Sequence, residues 1–150
     1  MIECNNGKSG ETMDDYFDIH LDDGQIQAIS SIGLAHLGDA VYELLVRSWL
    51  CAHGKATGKG LHRAAVELVR ATAQAGRAEK ILPLLTQEET AVYKRGRNAH
   101  VNTIPHSASR SDYLKATALE CLIGYLYLKG RRERINRLFA VMMEEENDAT

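Results

Sequence analysis

Two acidic residues stand alone inside apolar helical segments of this sequence. Asp39 lies in "HLGDAVYELLVRSWL", residues 36–50, directly after Gly38, and Glu120 lies in "ATALECLIGYLYL", residues 116–128. An ionised carboxylate among apolar side chains must find a partner or take up a proton. Acids from two packed helices can also share a hard divalent cation, because Mg²⁺ prefers carboxylate oxygens and keeps waters free for chemistry. The pair is therefore a candidate cation site.

Each acid also has a purely structural interpretation. Gly38–Asp39 has the form of a helix start with Asp39 as the N-cap, although the residues before it are already helically periodic and Tyr42 replaces the glutamate of a capping box. Glu120 lies well inside its segment, where a buried arginine partner is the alternative to a cation. Gly124 permits a close approach of backbones in either case. The residues alone leave these alternatives open.

A basic cluster lies between the two segments, in "YKRGRNAHVN", residues 93–102. Arginine and lysine bind phosphates, and a glycine lets a backbone come close to a ligand. The alternative is a solvated helix end, where the helix dipole favours basic residues. The interpretation that we adopt is a nucleic-acid contact, formed by Lys94, Arg95, Arg97, Asn98 and His100 with help from Arg110.

The remaining sequence has the character of an all-α protein. Good helix formers dominate and only two prolines occur, which together favour helices. An apolar stripe at helical spacing is expected to face the core, at Leu37, Val41, Leu44, Leu45 and Trp49. We predict a single domain of about five to seven helices. The helical segments are 25–53 with a break near Gly33, 61–82, the stretch after the capping box "TQEE" at 86–89, 111–129 and 132–145.

The charge of the chain is unevenly distributed along its 150 residues, whose net charge is −2. Residues 1–23 carry seven acids and one lysine, residues 144–150 carry four acids, and the stretch between them carries 17 Lys/Arg against nine Asp/Glu. A basic body between acidic ends indicates a polyanionic partner, unless the charges are only solvated helix faces. We expect a flexible acidic arm over 1–23, a domain over 24–143 and an acidic tail over 144–150.

Cysteine spacing and hydropathy exclude several classes of protein. The three cysteines are far apart and form no CxxC pair, which argues against a zinc site and favours a reducing compartment. No apolar run reaches the roughly 20 residues of a membrane span, and the acidic N-terminus is unlike a signal peptide. We expect a cytoplasmic protein without a membrane partner.

Taken in order, the motifs resemble the endonuclease domain of the ribonuclease III family. "LAHLGDAVYELLVR" is similar to its first signature and "TALECLIGYLYL" to its second. "KRGRNA" between them, with no double-stranded-RNA-binding domain appended, resembles the Mini-III branch, and the similarity covers about residues 24–140. The resemblance implies that Asp39 and Glu120 are catalytic and bind the metal.

The same resemblance implies an endoribonuclease that depends on Mg²⁺, for which Mn²⁺ can substitute, and that cleaves double-stranded RNA. Precursor large-subunit (23S) ribosomal RNA is the expected substrate, and a homodimer is expected because family members pair partly through the first signature helix. Two acids of the larger members are replaced here by Ala35 and Thr117, as in Mini-III enzymes. Fewer protein ligands imply low metal affinity in the absence of RNA.

Two other functions stay open at this point. A catalytically inactive RNA-binding or ribosome-associated protein of the same fold is compatible with the acids missing at Ala35 and Thr117. An all-α nucleotide pyrophosphohydrolase also carries carboxylates on helices. It would show ExxE acid pairs, however, and none surrounds Asp39 or Glu120.

Overall fold

The computed structural model describes residues 14–54, 58–99 and 109–144, which form seven α-helices and no strand. The helices are α1 (Asp23–Gln27), α2 (Ser31–Ala52), α3 (Gly58–Val69), α4 (Ala71–Ile81), α5 (Gln87–Arg97), α6 (Arg110–Leu128) and α7 (Arg132–Met142). A 3₁₀ turn, Leu82–Leu84, follows α4. The all-α prediction is confirmed. Within these ranges no helix combines the length and the apolar character needed to cross a bilayer.

Helix α6 is the centre of the bundle, and α2, α4, α5 and α7 all pack against it. Between Ala116 and Leu128 it is buried on almost every side. A helix enclosed in this way needs small or apolar residues around its whole circumference. Glu120 is the one charged residue of that stretch, so its presence in the middle of the fold calls for a specific explanation.

Helix α2 meets the core along a different seam from the predicted stripe. Apart from Ala35, its buried residues recur at every fourth position, namely Leu34, Gly38, Tyr42, Val46 and Leu50. The residues of the predicted stripe flank this seam and are only partly buried, and Leu44 among them is 55% exposed. The stripe is apolar without being the core, so α2 carries an apolar flank at the surface.

Two helix boundaries differ from the prediction. The break expected near Gly33 falls at residues 28–30, before α2 begins. The single helix predicted over 61–82 is wrong, because α3 and α4 are separated at Arg70, whose backbone is extended with φ −60° and ψ 147°. Neither glycine nor proline marks this second break, so its cause is not local.

Side chains from other helices stabilise the break between α3 and α4. The last carbonyls of a helix have no intrahelical partner and need donors from elsewhere. The Leu68 carbonyl accepts a hydrogen bond from the Tyr42 hydroxyl at 3.0 Å, and the Val69 carbonyl accepts one from the Gln74 side chain at 2.8 Å. The break therefore depends on contacts with α2 and with the helix that follows.

The start of α5 confirms the predicted capping box. The Thr86 hydroxyl accepts from the Glu89 N–H at 3.1 Å, and the Glu89 carboxylate accepts from the Thr86 N–H at 2.8 Å. The same carboxylate accepts two hydrogen bonds from Arg134 of α7, at 2.8 and 2.9 Å. This buried residue thus begins one helix and attaches another, and Arg134 holds its pKa below the usual range.

The chain before α1 lies against the end of α6. Ile19 is buried, and the Leu21 N–H donates to the Leu128 carbonyl at 2.7 Å. Residues 14–22 of the predicted arm are therefore in contact with the domain. Residues 1–13 lie outside the described part of the chain, as do residues 145–150 of the predicted acidic tail.

Candidate active site

Helices α2 and α6 cross with their backbones in direct contact at Gly38 and Gly124. A Cβ atom built on Gly38 would overlap the carbonyl oxygen of Glu120 and lie 2.6 Å from its carbonyl carbon. A Cβ atom on Gly124 would overlap the Leu34 carbonyl oxygen and lie 3.1 Å from the Gly38 nitrogen. Both positions therefore require glycine. The crossing places Asp39, which follows Gly38, beside Glu120.

The two acids singled out in the sequence lie together at this crossing. Their carboxyl groups are close enough to hydrogen-bond and to repel each other when both are charged. Asp39 is exposed, whereas Glu120 is half-buried. Burial raises the pKa of Glu120 to about 8, and the neighbouring Asp39 charge acts in the same direction. A site of this kind gains from a bound cation, which neutralises both charges.

The structural interpretations of the two acids do not hold. The N-cap of α2 is Ser30, whose hydroxyl accepts from the Gly33 N–H at 3.0 Å, so Asp39 lies well inside the helix. Glu120 has no arginine or lysine partner among the described residues. Its polar neighbours there are Asp39 and Gln74.

Gln74, near the start of α4, is a site residue that the sequence did not reveal. It is 2% exposed, and its amide lies beside the Glu120 carboxylate, whose pKa it lowers. The side-chain oxygen Oε1 is buried and has no hydrogen-bond partner in the described part of the chain. A glutamine in the alanine-rich segment "ATAQAGRA" gives no signal of such a position.

The residues at the crossing fit a hard divalent cation. Two carboxylates and an amide supply oxygen atoms of the kind that Mg²⁺ prefers, and the unpartnered Oε1 of Gln74 is an acceptor for a cation-bound water. No group of three His, Cys, Asp or Glu side chains capable of holding a metal occurs in the ranges that the structure covers. A cation at this place would therefore depend on water molecules and on substrate oxygens for its remaining ligands.

The two positions at which the larger family members carry further acids are occupied here by Ala35 and Thr117. Ala35 and Thr117 are both buried, each about one turn before its acid. The Thr117 hydroxyl donates to the Tyr113 carbonyl at 3.0 Å, so its proton is already used within α6. The site accordingly has fewer charged oxygens than the pattern of the larger family members implies.

The predicted nucleic-acid contacts lie at the C-terminal end of α5, which extends into the motif as a helix. Lys94, Arg95, Arg97 and Asn98 are all exposed there. Gly96, by contrast, is buried against α6. A Cβ atom at this position would lie 2.6 Å from the Cys121 Cβ, so there is no room for a side chain. This glycine serves the packing of α5 against α6 rather than the approach of a ligand.

The two arginines of the motif lie on different sides of Gly96. Arg95 lines a cavity of about 320 Å³ between α1, α2, α5 and α6, whereas Arg97 lies near Tyr93 and the α4 side. Arg110 is the exposed first residue of α6, and His100 falls outside the described residues. The basic charge therefore surrounds the end of α5 rather than forming one row.

A model of the ribonuclease III domain matches residues 33–131, which include both acids and the basic cluster. This chain belongs to the ribonuclease III family. Mini-ribonuclease 3 of Symbiobacterium thermophilum is 45% identical over 105 residues, covering 70% of this chain and 81% of the relative. Mini-ribonuclease 3 of Brevibacillus brevis is 49% identical over 102 residues, covering 68% and 76%.

A solved structure shares the fold of this chain. An X-ray crystal structure of a Fusobacterium nucleatum protein superposes with a TM-score of 0.74 at 32% identity and covers 81% of this chain and 98% of that one. The chain is an endoribonuclease of the ribonuclease III family, Mini-III type, as the sequence motifs implied. The pyrophosphohydrolase interpretation is therefore wrong, and the relatives' shared name disfavours a catalytically inactive protein.

Proposed function

We propose that this ribonuclease III-family enzyme hydrolyses phosphodiester bonds in double-stranded RNA with Mg²⁺ held by Asp39 and Glu120. The proposal depends chiefly on one observation, the two carboxylates brought together where α2 crosses α6. Mn²⁺, which also accepts oxygen ligands, is expected to substitute. The acids belong to two rigid helices, so their separation is fixed before substrate binds.

The residues of the site would have different roles in such a reaction. Mg²⁺, when bound, would supply a water of lowered pKa and stabilise the charge on the phosphate. Asp39 is exposed and presents its carboxylate at the surface, where a large substrate reaches it. Glu120 is half-buried on α6 and holds its carboxylate in a less hydrated place, where electrostatic attraction to a cation is stronger. No side-chain nucleophile is required.

We also propose that the enzyme acts as a homodimer whose two sites face the two strands of one duplex. The apolar flank of α2 supports this proposal, because Leu44 is 55% exposed and borders a groove of about 330 Å³ with Val41 and Phe17. Phe17 itself is 79% exposed. Clustered exposed apolar side chains mark interaction surfaces.

The proposed RNA-binding surface is the exposed basic end of α5. Lys94, Arg95, Arg97 and Asn98 would contact phosphates, with Arg110 and His100 completing this edge. Duplex RNA is recognised mainly through its shape, phosphates and 2′-hydroxyls, so charge placed around a helix end suits this substrate. The observation that supports this RNA-binding surface is the positive charge of its exposed side chains.

For the natural substrate we propose precursor large-subunit (23S) ribosomal RNA, which implies a cytoplasmic enzyme. The support is the resemblance to the Mini-III branch and the shared name of the relatives, Mini-ribonuclease 3. The class of substrate and the identity of the natural RNA are separate questions. A duplex of arbitrary sequence tests the first question, and a ribosomal precursor tests the second.

The deciding experiment is cleavage of a long double-stranded RNA with and without Mg²⁺. We expect cleavage only with the metal, and loss of cleavage in Asp39→Asn and Glu120→Gln, which keep the shape of each side chain. Asp112→Asn is the matched control, because Asp112 is an acid of the same helix α6 about two turns from Glu120. Near wild-type turnover in either acid variant would overturn the assignment.

A further inference from the structure

We infer that Gln74 is a positioning residue of the active site, whose side-chain amide bridges the Val69 carbonyl and the Glu120 carboxylate and thereby fixes the orientation in which Glu120 meets a cation. The inference rests on the proposed function, since it presumes a cation between Asp39 and Glu120. Gln74 lies on α4, a third helix that contributes neither of the two acids. Its role would therefore join three helices in one site.

A hydrogen bond at the break between α3 and α4 fixes the orientation of the Gln74 side-chain amide. Because α3 ends at Val69, the Val69 carbonyl needs a donor, and Nε2 of Gln74 supplies it at 2.8 Å. A reversed amide would place two oxygen atoms against each other, so this bond settles the orientation of a group that is otherwise ambiguous. The nitrogen keeps a second N–H, and the Glu120 carboxylate lies beside the same amide.

Gln74 is a rigidly held donor beside Glu120. Its side chain is 2% exposed, and its nitrogen donates to the Val69 carbonyl at 2.8 Å. A carboxylate that binds a cation must be correctly turned, and neighbouring hydrogen-bond donors fix the orientation of such ligands. The remaining N–H of Gln74 would do this for Glu120, because a buried and anchored side chain has little freedom to move.

The side-chain oxygen of Gln74 indicates that a ligand binds next to it. Oε1 of Gln74 is buried without a hydrogen-bond partner in the described part of the chain, and buried acceptors are normally satisfied. Oε1 and Nε2 are bonded to the same carbon, so Oε1 lies next to the carboxylate that Nε2 approaches. A water on the cation would donate to Oε1. The amide would thus replace part of what acids at Ala35 and Thr117 would supply.

The test is the affinity of the full-length protein for Mn²⁺ in the absence of RNA, measured from the EPR signal of the free ion. Gln74→Met keeps the length and burial of the side chain and removes both polar ends. Loss of a residue that orients a metal ligand typically weakens metal binding about 10- to 100-fold, and we expect this loss here. We also expect cleavage by Gln74→Met to recover at higher Mg²⁺, whereas cleavage by Glu120→Gln does not recover.

Tyr42→Phe is the matched control. It removes the hydrogen bond to the Leu68 carbonyl at the same break and keeps the ring that contacts Phe139. If Gln74 only stabilised the break, both variants would lose similar amounts of Mn²⁺ affinity, and that result overturns the inference. Gln74→Asn, whose shorter amide cannot bridge both partners, carries the same test if Gln74→Met does not fold.

The outcomes separate this inference from the proposed function. Wild-type affinity in Gln74→Met, with loss of binding in Glu120→Gln, overturns the role of Gln74 and leaves the metal site intact. A wild-type protein with no Mn²⁺ site overturns this inference, and the Mg²⁺ dependence of cleavage then decides the proposed function on its own. Weaker binding in Gln74→Met with wild-type binding in Tyr42→Phe supports the inference.

Discussion

Gly38 of α2 lies directly on the main-chain carbonyl of Glu120 in α6, with no space between them for a side chain. Packed helices usually stand about 8–10 Å apart, depending on the side chains at the contact, and glycines permit the closest approach. The distance between the two catalytic candidates is therefore a property of backbone packing. Asp39 and Glu120 meet because Gly38 and Gly124 have no Cβ atoms.

We predict that Gly38→Ala and Gly124→Ala each lower the free energy of unfolding by about 1–3 kcal/mol or more, the usual cost of overpacking. The added methyl group must push α2 and α6 apart, so cleavage should fall as well. Urea denaturation and initial cleavage rates measure the two effects. Gly76→Ala is the control, because that helical glycine has open space around it and should gain about 0.5–1 kcal/mol. Full stability in Gly38→Ala would show that the crossing adapts.

We predict that Glu120→Gln stabilises the metal-free protein while it abolishes cleavage. The change removes a carboxyl group that lies half-buried beside another acid, where either ionisation or proton uptake costs free energy at neutral pH. Stabilising changes at sites of this kind are typically worth about 0.5–2 kcal/mol. Thermal melting in the presence of a chelator measures the effect, with the exposed Glu133→Gln as the neutral comparison. A melting temperature clearly below that of wild type would indicate a structural role for Glu120.

The helix ends that could be predicted from the sequence are those with local signals. The capping box of Thr86 and Glu89 correctly placed the start of α5. The break at Arg70 could not be predicted, because "ELVRATAQ" is a good helix sequence and the break is stabilised by Tyr42, 26 residues before its acceptor. Tertiary contacts overrode local propensity there.

The candidate site, like the helix ends, was predicted only in part. Asp39 and Glu120 stood out because charge is unusual in an apolar helix, and Gly124, four residues after Glu120, pointed to a close approach of backbones. Gln74 gave no signal, because an uncharged polar residue is ordinary in a surface helix and its burial depends on α4 lying against α6. The apolar stripe of α2 was visible, but periodicity alone does not tell a core face from an interface.

We predict that Leu44→Glu converts the protein to a monomer. Leu44 lies at the centre of the apolar flank and is 55% exposed, so a charge there harms an interface more than the fold. Sedimentation velocity measures the oligomeric state. Val66→Glu is the matched control, because Val66 lies on α3 and is 43% exposed. An unchanged oligomer in Leu44→Glu would place the interface on another surface.

We predict that Glu89→Gln lowers the free energy of unfolding by about 1.5–3 kcal/mol, the range for a hydrogen bond to a charged group. Arg134 holds the pKa of Glu89 below its ordinary value of 4.5. A depressed pKa in the folded state gives stability that is present above about pH 4.5 and is lost as the pH falls through the folded value. Urea titrations at pH 7 and below pH 4 should therefore show the variant and wild type converging in acid. A constant difference between them would contradict the ion pair.

We predict that replacing Arg95 and Arg97 with alanine weakens binding to duplex RNA of any sequence and flattens its salt dependence. Each lost phosphate contact should reduce the slope of log K against log salt by up to about one unit. The cleavage rate at saturating RNA should fall less than in Asp39→Asn, since the arginines belong to α5 and supply none of the carboxylates of the proposed metal site. Because the two side chains flank the buried Gly96 on different sides, the single variants should show which side faces the RNA. Arg137→Ala, which removes an exposed arginine of α7, is the charge-matched control for the single variants. Unchanged affinity and slope in the double variant would mean that the cluster is only a solvated helix end.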